Sequence, residues 1–125
     1  MPRSVALRLA DIRDAIDGVR SLAAGTSFAR FEKSWSDQRA AERGLEIISE
    51  ASRHIPADIK SLAPAIPWQQ IAAIGNINRH EYQRTSTKMV WNIVHEYLPD
   101  LAIAVERLIV ELGQRESGQP SPTGD

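Results

Sequence analysis

A chain of 125 residues is long enough for one domain, burying about two thirds of its unfolded surface. Its 42% hydrophobic and 25% charged residues are those of an ordinary globular protein, and the lack of cysteine excludes disulfides and thiolate chemistry. A formal net charge of −1 argues against coating nucleic acid by bulk electrostatics. The basic set is lopsided, with 12 arginines against 3 lysines. Arginine's planar fork suits phosphate, but a GC-rich genome would leave the same bias. The opening Met-Pro-Arg-Ser-Val-Ala-Leu-Arg has no apolar signal core, and no apolar run is long enough to cross a bilayer. A cytoplasmic protein without a membrane anchor is expected.

Val5, Leu9, Ile12, Ile16 and Val19 follow helical spacing among charged residues, which predicts an amphipathic first helix. It should end near Gly25, a residue that tolerates a left-handed cap, and Thr26 or Ser27 can start the next helix. Phe28, Phe31, Trp35, Ala41, Leu45, Ile48 and Ile55 predict a second helix stopped by Pro56, with a weak point at Ser34–Asp37. Gly44 in its middle predicts close approach of another helix. Glu50 is expected near the inner end, either solvated or ion-paired.

Residues 57–66 read as a connector with one helical turn near Asp58. Pro67 then suits the first turn of a helix reaching about Tyr82. Thr85, Ser86 and Thr87 read as the cap of the last helix, whose stripe is Val90, Val94, Tyr97, Leu101, Val105, Leu108 and Leu112. Pro99 interrupts that stripe and predicts a kink or break near Leu98. The expected fold is an all-α bundle of four main helices over 1–112, with a polar, disordered tail over 113–125.

The chemistry concentrates in the Pro67 helix. On a continuous helix Asn76 and His80, four apart, are neighbours, with Arg79 beside them. Imidazole can take a proton from a ribose 2′-hydroxyl or give one to a leaving oxygen. A lone helical histidine is also often structural. Arg84 and Lys88 make a short basic rim suited to phosphate, or a solvated turn. His95-Glu96-Tyr97 repeats His80-Glu81-Tyr82, but the paired Glu-x-x-His pattern of bundle metal sites is absent, so no metal or other cofactor is expected.

Ile66-Pro67-Trp68-Gln69-Gln70-Ile71, Asn76, His80-Glu81-Tyr82, Val90-Trp91 and Leu98-Pro99-Asp100-Leu101 resemble the HepT-like branch of the HEPN superfamily. Ala41 to Ala51 is similar to that family's second helix, and the resemblance runs through residues 5–112 in one register. It implies a HEPN-type helical bundle acting as a ribonuclease toxin, paired with a nucleotidyltransferase antitoxin. It also implies a homodimer whose motif helices form a composite RNA cleft, which the apolar face of Ile71, Ile74 and Ile77 would allow. The family's catalytic pattern is arginine, asparagine, three residues, histidine; here Gly75 stands in the arginine's place.

The resemblance implies catalytic roles for His80 and Asn76 and AMP transfer to Tyr82, while the basic rim makes Arg84 and Lys88 the RNA-binding candidates. Arg79, one turn after Gly75, is either a relocated phosphate clamp lying across the glycine or a surface residue. Gly75 is either room for that guanidinium or a close helix contact. If there is room, Gly75→Arg should raise cleavage. The alternative to an enzyme is a weakened HEPN protein that binds its nucleotidyltransferase without cutting RNA.

Overall fold

The computed structural model describes residues 4–75 and 83–116, with side chains at all of these except 83–86, 115 and 116. Among them are seven helices and no strand: α1 (Val5–Ala24), α2 (Phe28–Lys33), α3 (Trp35–Arg53), α4 (Ala57–Lys60), α5 (Trp68–Ala73), α6 (Gln83–Glu96) and α7 (Leu98–Glu116). The fold is all-α, and its four long helices are α1, α3, α6 and α7.

Ser4 starts α1, its hydroxyl accepting from the Leu7 amide at 3.1 Å. The stripe expected from spacing is the face that is buried: Leu9, Ile12 and Ile16 are fully inaccessible and Val19 nearly so. Gly25 closes the helix at φ −87°, so no left-handed turn is used. Ser27 caps α2 through the Arg30 amide at 3.3 Å.

The expected second helix is two helices. Ser34 sits at the joint with extended dihedrals, and its hydroxyl accepts from the Asp37 amide at 3.2 Å, beginning α3 afresh. The restart changes the phase of the apolar stripe. Trp35 consequently lies outside, 68% exposed, with the Arg39 guanidinium over its ring at 5.8 Å. Buried Gln38 ties the joint together: its amide donates to the Phe31 and Glu32 carbonyls at 2.9 Å, and its oxygen accepts from Thr87 on α6 at 3.3 Å.

Gly44 lets α1 and α3 touch, since a Cβ there would run into the Val19 side chain. Past Pro56, α4 provides the expected helical turn, and the Trp68 indole donates to the Lys60 and Ala63 carbonyls at 3.2 and 3.1 Å, fixing the start of α5.

Two further expectations change. α6 already begins at Gln83, so Thr87 is a buried helical residue and not part of a cap. The last stripe is split at Tyr97, the break expected near Leu98, with Pro99 second in α7, where a missing N–H costs no helical bond. α7 continues through Gly113 to Glu116, beyond the point where the polar tail was expected to start. None of the helices is long and apolar enough to cross a membrane, among the described residues.

Candidate functional site

The site is approached through the end of α5, the element leading into the motif. α5 was expected to continue to Tyr82, yet its helical run stops at Ala73, with Ile74 and Gly75 in a turn. Near this end the Ala72 carbonyl accepts from the Ser49 hydroxyl and the Arg53 guanidinium of α3. Asn76, Arg79, His80 and Tyr82 lie outside the described residues, so the neighbour relation of Asn76 and His80 has no described geometry.

Gly75 is a close helix contact. A Cβ built on it would lie 2.9 Å from Ser49 Cβ, 3.0 Å from Ser49 Oγ and 3.4 Å from the Glu46 Cα. No side chain fits there unless α5 and α3 separate. Ile71 and Ile74, 1% and 7% exposed, turn inward to the molecule's own core. These two residues of the apolar face are therefore covered within one chain, while Ile77 lies outside the described residues.

The face of α3 against this joint is polar: Glu46, Ser49, Glu50 and Arg53 recur at helical spacing. Ser49 is fully buried, while Glu50, Arg53 and His54 are exposed. Arg53 places Nε and Nη2 each 3.3 Å from the Ala72 carbonyl, Nη2 3.0 Å from Ser49 Oγ, and Nη1 3.4 Å from Glu50 Oε1. His54 Nε2 lies 2.9 Å from Glu50 Oε2. An ionised carboxylate only accepts, so the Nε2 nitrogen carries the proton. That bond, chiefly, holds the Glu50 carboxyl below its ordinary range; the charges of Arg53, His54 and Arg8 add to it, against an opposing effect of desolvation. The sequence reading of Glu50 as a solvated or ion-paired carboxylate fits its exposed position beside Arg53. It did not single out Arg53 and His54, although the polar spacing of α3 was there to read.

Arg84 and Lys88 are four apart in α6, and only the side chain of Lys88 is among those described. Lys88 is exposed, its ammonium 4.3 Å from the centre of the Phe28 ring. Trp91 packs against Phe28, Phe31 and His95, the last at 4.3 Å between ring centres. A groove of about 480 Å³ between the 62–66 connector and α7 is lined by Ile66, Ile103, Ala104 and Arg107 and by none of the candidate catalytic or RNA-binding residues.

With this geometry in place, comparison with known proteins identifies the chain's family. The family model described as ribonuclease HepT-like matches residues 12–108. The "Probable ribonuclease HepT" of Thermococcus cleftensis is 36% identical over 108 residues, covering 86% of this chain and 98% of its own. A candidate RNase of Methanocaldococcus jannaschii is 32% identical over 104 residues, covering 83% and 95%. Another, from Caldanaerobacter subterraneus subsp. tengcongensis, is 32% identical over 92 residues, covering 74% and 79%. No solved structure gives a significant match. The chain belongs to the ribonuclease HepT-like family.

Proposed function

We propose that the protein is a HepT-like endoribonuclease, the toxin of a toxin–antitoxin pair, cutting RNA without a metal ion at a cleft between two copies. The observation that carries this reading is the family match over residues 12–108, which runs through the whole motif stretch. In the reaction the ribose O2′ attacks phosphorus and the bond from phosphorus to O5′ breaks. His80 handles the proton leaving O2′ or the one arriving at O5′. Arg79 stabilises the charge gathering on the phosphoryl oxygens, Asn76 positions the ring or the phosphate, and Arg84 and Lys88 hold the flanking backbone. A nucleotidyltransferase antitoxin transfers AMP from ATP to the Tyr82 hydroxyl, releasing pyrophosphate. The added purine and negative phosphate obstruct the RNA site.

A second reading has its own support. Gly75 stands where the family pattern has arginine, and it is pressed against α3. On that reading the chain binds its nucleotidyltransferase partner without cutting RNA. The deciding experiment incubates the purified protein with RNA in EDTA. Cleavage lost in His80→Ala, with unchanged circular dichroism, is expected from the enzyme. No cleavage by the wild type, together with co-purification with the nucleotidyltransferase encoded beside it, selects the binding protein.

A further inference from the structure

We propose that Arg53, a residue of α3 outside the motif, grips the RNA phosphate backbone beside Gly75. This rests on the ribonuclease reading and adds a binding residue to it. The position is set by one shared atom. Ser49 Oγ lies 3.0 Å from where a Cβ on Gly75 would begin, and Arg53 Nη2 lies 3.0 Å from that same oxygen. A guanidinium from the neighbouring helix thus stands next to the place that the motif leaves without a side chain.

Arg53 is also held in a manner suited to an anion. Its fork is oriented by the Ala72 carbonyl and by Ser49, while 44% of its side chain remains exposed. Capping α5 does not account for it. The Ala72 carbonyl has two lone pairs and receives three donors, from Ser49 Oγ and from Arg53 Nε and Nη2. The Ser49 hydroxyl already supplies the short bond, so the guanidinium donors are in surplus there.

The remaining polar contact of Nη1 is the long 3.4 Å approach to Glu50, a carboxylate whose side chain is 58% exposed. Such an exposed pair contributes little. A phosphate oxygen that takes the Nη1 donors in charge-assisted bonds displaces it easily. Glu50 keeps its hydrogen bond to His54 on its other oxygen, at 2.9 Å.

The test is RNA affinity as a function of salt, measured on the full chain with a mixed-sequence 2′-O-methyl oligoribonucleotide, which lacks the attacking hydroxyl. Arg53→Gln keeps an amide donor for the Ala72 carbonyl and removes the charge. It should bind about tenfold more weakly, and the slope of log affinity against log salt should fall by about 0.7 per protomer, one phosphate contact. Arg53→Lys keeps the charge and should retain the wild-type slope. Each variant is melted in parallel, since a merely structural Arg53 would lower the melting temperature and leave the slope alone. Wild-type affinity and slope in Arg53→Gln would overturn the proposal while leaving the ribonuclease reading intact. A wild-type protein that neither binds this probe nor cleaves RNA would overturn both.

Discussion

At the scale of single residues, Gly75 decides most. Its sequence position suggested a vacancy that arginine could fill. The structure has α3 there instead, with Ser49 Cβ 2.9 Å from a built Cβ. Arginine at this position must push α5 off α3 and break the hold of Ser49 and Arg53 on the Ala72 carbonyl. Overpacking of this kind costs about 1–3 kcal/mol. Gly75→Arg is therefore expected to lower the urea midpoint and to leave RNA cleavage no higher than wild type. Cleavage raised with stability intact would show that the joint opens without cost. Glu50 gives a second test. Its carboxyl is held below the ordinary range in the folded chain, so its stabilising contribution is present above the unfolded value and fades as pH falls through the folded one. Because the group is exposed, the effect is small. Glu50→Gln should flatten the acid side of the stability profile below the ordinary carboxylate range and leave neutral pH nearly unchanged.

Between elements, the closest-fitting contact is that of α1 with α3 at Gly44, where a Cβ would meet buried Val19. Alanine would return about 1 kcal/mol of helix propensity. Forcing a methyl into a β-branched neighbour that is itself confined costs about 1–3 kcal/mol, so packing wins. Gly44→Ala should unfold at lower urea with an unchanged m-value, whereas a gain in midpoint would mean that Val19 has another rotamer to use. This contact was legible in the sequence because a mid-helix glycine has few other uses. The α1 stripe and the break before Pro99 were legible for a similar reason: apolar spacing and a missing N–H act locally. The end of α5 was not. Pro67 to Tyr82 reads as one helix by pattern, whereas the contacts at its Ala73 end are tertiary, the Ala72 carbonyl accepting from Ser49 and Arg53 some twenty residues earlier in the chain. Trp35 was misplaced because Ser34, a good cap, restarts the helix and shifts its face.

For the whole molecule, the question is which surface a second copy would use. The motif helix was expected to offer Ile71 and Ile74 to a partner, and both are instead enclosed in the chain's own core with Leu45, Ile48 and Val90. The larger apolar side chains left in solvent lie elsewhere: Leu7, Trp35, Met89, Ile103 and Val110 are all about half exposed or more. A homodimer built on the composite-cleft reading keeps Ile71 and Ile74 inside each protomer. The two arrangements separate cleanly. Truncating Ile71, 1% exposed, removes buried methyl groups from one folded chain and should cost about 2–5 kcal/mol of folding stability. Any Ile71→Ala protein that remains folded should keep the wild-type association state at micromolar concentration, measured by sedimentation equilibrium beside a thermal melt. If Ile71→Ala melted like the wild type and sedimented as a smaller species, the isoleucine would be an interface residue and the core assignment would fail.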